Sequence, residues 1–354
     1  MIYEGFTVTK DFTVEKIYMD EKKTKKQVLD LLEKNDLTLD IGLEDSVGVY
    51  DGENLIATGS IKGNTLRCIA IDQDYQGTSV LNLLMDTLVR MQYMRERSHL
   101  FVYTKPTAQK SFQFMGFHKI EEVNEKVILM ENKMDGIKSY LDRLSKHEVS
   151  GDKISAIVMN ANPFTNGHLY LIERASKESD HVHVFMVSSD ISSFPYSVRK
   201  QLITEGTKHI KNITLHEGGD YIISNATFPS YFIKEKSEIV KIHATLDLKI
   251  FAKYIGPSLG IHQRYVGEEP YCETTHQYNQ VMKMILPQYG IDVKEIARKA
   301  IEDGTISASK VRDFIATGNI EKINSFVPEA TYTFLASEEG KKIIHKIQKC
   351  KKRH

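Results

Sequence analysis

This sequence predicts an α/β protein of two domains, an α+β domain over residues 1–145 followed by a domain with a parallel sheet over residues 146–354. Three observations carry that prediction. At 354 residues the chain is long for one compact core. Its first third strings short apolar runs between tight turns, as a β-meander does, and then enters one strongly amphipathic helix. From residue 154 onward apolar strand-like runs alternate with helical spacing, the pattern of a parallel sheet with helices on both faces.

Composition removes several function classes. Lys and Arg together number 47, as do Asp and Glu, so no broad charge favours nucleic acid or a membrane surface as partner. Cys68, Cys272 and Cys350 form no C-x-x-C, which suggests neither a disulfide framework nor a zinc site. No apolar run approaches the ~20 residues of a membrane span. The amino terminus, MIYEGFTVTKDF, has no long apolar region, and a cytoplasmic setting is expected.

In the first domain, residues 20–33 set Val28, Leu31 and Leu32 on one side of a surface helix. Residues 47–50, 55–61 and 66–71 read as strands, with Asp51-Gly52 and Gly63-Asn64 as their hairpin turns. A helix over 81–95 and a strand over 100–103 follow. Helical spacing returns at Ile137, Tyr140, Leu141 and Leu144, and the polar SKHEVSGDK reads as the connection between domains.

The second domain opens on residues 153–177, the stretch around which the rest is organised. Residues 154–159 form a short apolar run, Asn160 to Pro163 a turn, and Leu169, Ile172 and Ala175 a helical face starting near Gly167 or His168. Strand, turn and helix in that order aim free backbone N–H groups and the positive helix end at one point, a site for nucleotide phosphate. Strands are expected at 181–187, with His183 on an outward face, and at 212–217; a helix begins near Ser197 and Arg199. The run YIISNATFPSYF, residues 221–232, suits the wall of a small-ligand pocket. Residues 240–246 read as another strand ending at Asp247, 249–254 as a short helix and 264–266 as a strand. Ligands of such sheets lie beyond the strand carboxyl ends, where Asn160, Asp247 and Gly267 would fall. Cys272 reads as a buried small side chain rather than an acyl relay. Ile306 closes an extended piece, and Ser307 or Ser309 caps a helix running through Thr317, a second place that presents free N–H groups.

Several of these stretches resemble known signatures. Gln76-Gly77-Thr78-Ser79, together with Phe112 to Phe117, resembles the acetyltransferase (GNAT) fold, in which the turn holds the pyrophosphate of coenzyme A. Asp74 and Ser79 depart from that family's (R/Q)-x-x-G-x-(G/A), which favours docking, or a tethered CoA-like group, over an active acetyltransferase. Thr165-Asn166-Gly167-His168 resembles the T-x-G-H form of the nucleotidyltransferase signature, and ISASKVR at 306–312 its I-S-S-T-x-x-R. These two motifs, the YIISNATFPSYF run and RYVGEEP at 264–270, in this order, resemble the citrate lyase ligase family, whose members join a GNAT-like domain to a Rossmann-like nucleotidyltransferase domain.

That resemblance implies the chemistry and its residues. His168, Thr165, Arg312 and Lys310 would act on the phosphates of ATP, with Asn160, Asn162, Gly167, Arg199, Gly267, Glu268, Ser307 and Ser309 as further nucleotide contacts. Glu268 and Glu269 are candidates for contacts to adenosine or to Mg²⁺ carried by the substrate, and no resident metal is expected. Acetate would attack the α phosphorus of ATP and leave as acetyl-AMP. The acetyl group would then pass to the prosthetic-group thiol of the citrate lyase acyl carrier subunit. Two rivals are an adenylyltransferase acting on a small phosphate acceptor and a GNAT-type protein acetyltransferase.

Overall fold

The computed structural model describes residues 12–123, 125–188, 192–223, 228–233, 236–301 and 304–351. Most of the amino-terminal MIYEGFTVTKDF, Ser189, Ser224 to Thr227 of the aromatic run and Asp303 lie outside the described residues. The chain forms two compact units, residues 1–136 with 229–239, and residues 137–228 with 240–354. The division differs from the expected one at 145/146. The helix Gly136–Leu144 belongs almost wholly to the second unit, where Tyr140 donates from its hydroxyl to the Gly218 carbonyl at 3.2 Å. Residues 229–239 return to the first unit, where Tyr231 donates from its hydroxyl to the Tyr103 carbonyl at 3.0 Å.

In the first unit the elements are β1 (Thr13–Ile17), α1 (Lys22–Lys34), β2 (Asp45–Asp51), β3 (Asn54–Lys62), β4 (Thr65–Ile71), α2 (Val80–Tyr93), β5 (Phe101–Thr104), α3 (Gln109–Phe114), β6 (His118–Val123) and β7 (Val127–Glu131). The meander appears as read, with Gly52 and Gly63 at positive φ in its turns. The strands form one sheet in the order β1-β2-β3-β4-β5-β7-β6, antiparallel except for β4 and β5. Those two pair only from Thr65 and Leu66 to Phe101 and Val102, then diverge. This is a GNAT-like fold, and the divergence opens a cavity of about 670 Å³ lined by Gln76, Gly77, Thr78, Thr104, Tyr231 and Phe232 among others. Asp74 and Ser79 do not line it.

The second unit contains α4 (Gly136–Leu144), β8 (Ile154–Met159), α5 (Asn166–Glu178), β9 (His181–Met186), α6 (Tyr196–Thr207), β10 (Ile213–Glu217), α7 (Lys236–Ile250), α8 (Gly256–Ser258), β11 (Gln263–Gly267), α9 (Glu273–Ile285), β12 (Asp292–Ile296), the short pair β13 (Ala300–Ile301) and β14 (Gly304–Thr305), α10 (Ala308–Thr317), α11 (Glu329–Ala336) and α12 (Glu338–Lys351). The larger sheet is parallel throughout, in the order β10-β9-β8-β11-β12. The chain runs outward through β9 and β10, then crosses to β11, so the order reverses between β8 and β11. Their carboxyl ends therefore flank a crevice, the usual ligand position in such sheets.

Two expectations are corrected here, and one strand was missed. Residues 240–246 are not a strand but the middle of α7, which runs on as a π-helical turn over Phe251–Ile255 into α8. An apolar run buried all round has no period that separates helix from strand; Ala244, Leu246, Leu248 and Ile250 are all fully buried. His183 is not on an outward face: it is fully buried, and its Nδ1 lies 2.9 Å from His216 Nε2. The strand β12 was not anticipated, because Asp292–Ile296 carries two acids and a lysine at a sheet edge.

Candidate active site

The turn after β8 is tightly braced. Ala161 takes a positive φ of 48°, which swings the chain away from the strand. Thr165, only 1% exposed, is the N-cap of α5, and with His168 it forms a reciprocal capping box. Its backbone N–H donates to His168 Nδ1 at 3.1 Å, and its hydroxyl lies 2.9 Å from the same nitrogen. With Nδ1 accepting, the imidazole proton sits on Nε2, which leaves a neutral donor. Burial, with the charge of Arg298 adding to it, pushes the His168 pKa down to about 4, so the ring stays neutral at physiological pH. Thr165 thus orients the histidine, and its own hydroxyl is occupied as a cap.

The second motif meets the first. Ser307 is the N-cap of α10, accepting from Lys310 N at 3.1 Å. Arg312, one turn further on, donates through Nη1 to the carbonyl of Asn162 and through Nη2 to Ser309 Oγ at 3.0 Å. The first of these bonds ties α10 to the turn after β8, the second braces the guanidinium on its own helix, and the amino ends of two helices face one cavity of about 400 Å³. Asn160, Asn162, Thr165, Gly167, His168, Gly267, Glu268, Ser307, Ser309 and Arg312 all line it. Orphan N–H groups and aligned dipoles at both helix starts make this an anion site of the phosphate kind. An added Cβ at Gly167 would lie 3.5 Å from Ile306 Cγ2, an ordinary contact, so the chain itself does not demand glycine there. Glycine leaves that part of the cavity open.

Two expected residues are placed elsewhere. Arg199 is fully buried behind the turn; its donors go to the carbonyls of Phe194, Asn160 and Val187 and to Asn160 Oδ1. It is a brace that sets Asn160, which does line the cavity. Lys310 does not line it: its ammonium lies 4.9 Å from the centre of the Phe326 ring. Glu269 does line the cavity, but its carboxylate is already engaged: it pairs with Arg298 and accepts from Tyr271 N and Cys272 N. Cys272 is exposed rather than buried.

Sequence reasoning missed Arg298 and Lys299, which follow β12 and add positive charge to the cavity wall. The signal was a basic pair at the carboxyl end of a strand, and it was lost with the strand. It also missed that a second cavity, of about 520 Å³, adjoins the first and shares Val158, Asn160, Asn162, Val266 and Thr275 with it. Ile222 and Ile223 of the aromatic run line this second cavity, whereas Tyr231 and Phe232 line the cavity of the first unit, so the run is divided between two pockets. Asp247, expected at a strand end, reaches the second cavity from α7, accepting from Ile223 N at 2.7 Å and from the Tyr278 hydroxyl.

A Rossmann-like sheet with capped helix starts gathered at its switch point, preceded by a GNAT-like domain, is the architecture of a protein that resembles the nucleotidyltransferases and carries an acetyltransferase-like module. Comparison with known proteins narrows this. Residues 154–335 match the family described as citrate lyase ligase C-terminal domain. The chain is 41% identical over 325 residues to the [citrate [pro-3S]-lyase] ligase of Escherichia coli K12, covering 90% of this chain and 92% of that protein. It is 40% identical over 329 residues to the enzyme of the same name from Haemophilus influenzae, covering 91% and 97%, and 38% identical over 327 residues to that of Klebsiella pneumoniae, covering 91% and 96%. The chain belongs to the citrate lyase ligase family, and it is an enzyme. Among the described residues no helix is long and apolar enough to cross a membrane.

Proposed function

We propose that this enzyme activates acetate with ATP and passes the acetyl group to the prosthetic-group thiol on the acyl carrier subunit of citrate lyase. The observation that carries the reading is the convergence of neutral His168, Arg312 and two helix amino ends on one cavity, with a second cavity opening beside it. ATP would lie with its triphosphate between α5 and α10 and its ribose near Gly267 and Glu268. A carboxylate oxygen of acetate attacks the α phosphorus, and the bond to the bridging oxygen of pyrophosphate breaks. Charge grows on that leaving oxygen, where His168 Nε2–H, Arg312 and the helix N–H groups stabilise it. Mg²⁺ carried on the triphosphate would neutralise part of the remaining charge. The thiol then attacks the acyl carbon of acetyl-AMP, the bond to AMP breaks, and the thiol proton goes to solvent.

The test is ATP–pyrophosphate exchange with Mg²⁺, with and without acetate, in the absence of carrier protein. Exchange that requires acetate supports the reading. Exchange absent without carrier, but AMP formed once thiol-form citrate lyase is added, means the carrier binds before chemistry. No AMP under either condition removes the reading in favour of transfer of AMP to a phosphate acceptor.

A further inference from the structure

Three buried polar atoms on the wall of the second cavity have no hydrogen-bond partner: Arg264 Nη1, His243 Nδ1 and Asn279 Oδ1. Their residues are 2%, 3% and 1% exposed. Such groups cost free energy unless something meets them. They do not ask for the same thing. His243 donates from Nε2 to the Ile223 carbonyl at 2.8 Å, which makes its Nδ1 an acceptor; Asn279 donates from Nδ2 to the Gly267 carbonyl at 3.1 Å, which makes its Oδ1 one as well. Arg264 alone offers an unmet donor, and that donor is cationic.

The surroundings hold Arg264 as a fixed fork. Its guanidinium lies 4.4 Å from the centre of the Phe251 ring, on the π-helical turn that follows α7. Nη2 donates to the Tyr278 hydroxyl at 3.3 Å, and that hydroxyl donates in turn to Asp247. Among the described residues Asp247 is the one carboxylate on this wall that could oppose an anion. Both its oxygens are engaged, one with Ile223 N and the other with Tyr278, and Tyr278 stands between it and Arg264. A buried, oriented arginine with one free N–H edge fits a carboxylate better than any neutral group. The apolar walls beside it, Ile222, Ile223 and Met282, suit the alkyl end of a short acid.

We propose that Arg264 anchors the carboxylate of the acid substrate in the cavity beside the nucleotide pocket. The proposal rests on the reading above that the enzyme activates a carboxylic acid, and it names the residue that selects for one. Arg264 sits on β11 two residues before Val266, so both point to the same side of the sheet, and Val266 lines both cavities. An acid held there lies next to the nucleotide cavity rather than in it. The volume beyond a two-carbon acid is the space a thiol needs to reach the acyl carbon.

Binding of acetate to nucleotide-free protein, read by saturation transfer from protein to the acetate methyl protons, tests this without any turnover. Wild type is expected to show transfer to acetate and none to neutral acetamide, and Arg264→Gln to lose it. In exchange assays the same variant should raise the KM for acetate on the order of 100-fold while leaving the KM for ATP unchanged. Thermal melting reports whether the variant folds; if it does not, Arg264→Lys carries the test, with acetate binding weakened and the KM for ATP again unchanged. Acetate transfer undiminished in a folded variant, or KM values for acetate and ATP rising together, overturns the proposal. Arg264-dependent acetate binding in a protein that forms no AMP from ATP and acetate, with or without thiol-form citrate lyase, leaves the anchor standing and refutes the proposed reaction instead.

Discussion

Replacing His168 separates two roles that the structure gives one side chain. His168 Nδ1 accepts from Thr165 N and so closes the capping box of α5, while Nε2–H is the donor that the proposed function sets on the phosphates. His168→Ala removes both. Loss of a cap partner costs about 1 kcal/mol, which in a domain of this size lowers the melting temperature by about 2–4 °C. Loss of one preorganised donor to a developing oxyanion lowers the rate on the order of 10²–10³-fold. His168→Glu splits the two effects. A carboxylate at this position rebuilds the cap and favours the positive end of the helix, so melting should match or exceed that of wild type. It nonetheless faces the triphosphate with a negative charge, and ATP–pyrophosphate exchange should be abolished. Both variants are measured by exchange in the presence of acetate, with thermal melting in parallel. Wild-type exchange in either variant, or a rate loss in His168→Ala that merely follows the unfolded fraction, would refute the placement of the phosphates at this helix start.

Three further outcomes follow from the same geometry. Gly167→Ala should leave the fold intact, or stabilise it by up to about 1 kcal/mol as helix propensity allows, because the added Cβ meets only ordinary contacts; the KM for ATP should rise, and an unchanged KM would show that the backbone does not approach the nucleotide there. Cys272→Ser should keep both adenylation and thiol transfer near wild type, although the thiol is exposed; transfer lost with exchange intact would make it an acyl relay. Burial, with Arg298 adding to it at His168 and neighbouring histidines adding to it at His183 and His216, depresses these rings to about 4, about 3 and about 4; burial also depresses His243, where the Asp247 carboxylate works against it. The unfolded chain therefore binds more protons than the folded one below the ordinary histidine pKa of about 6.5. Stability should be full above that value and fall progressively as pH drops toward 4; a melting temperature flat across that interval would contradict the buried, neutral state of these rings.

How far the site was legible depended on whether its signal was local. Ser307 announces itself as a cap because a hydroxyl three residues before a helical N–H is a short-range pattern, and the structure forms it; Thr165, read as a phosphate contact, is a cap as well. Arg199 and Lys310 looked equally suited to phosphate, but a charge on a helix carries no mark of the direction in which it points. One is spent on carbonyls behind the turn and the other stacks on Phe326. Arg298 went unseen because its strand, at the sheet edge, is too charged to show an apolar period. The second cavity was invisible for a related reason: α7 read as a strand, which left His243 out of the wall and set Asp247 near the ligand on the wrong kind of element.

By itself the sequence determined the two α/β domains, the parallel sheet of the second, both helix starts that face the shared cavity, and membership of a family whose motifs recur in order. These follow from periodicity, capping and turn chemistry, which act over a few residues. Tertiary structure alone decided which side chains share a cavity. Arg312 joins a turn 150 residues away, residues 229–239 leave their sequence neighbours for the other unit, and Arg264 is left with one unmet donor on a cavity wall. Each depends on packing between segments far apart in the chain, where the burial of one group is set by what the others leave uncovered.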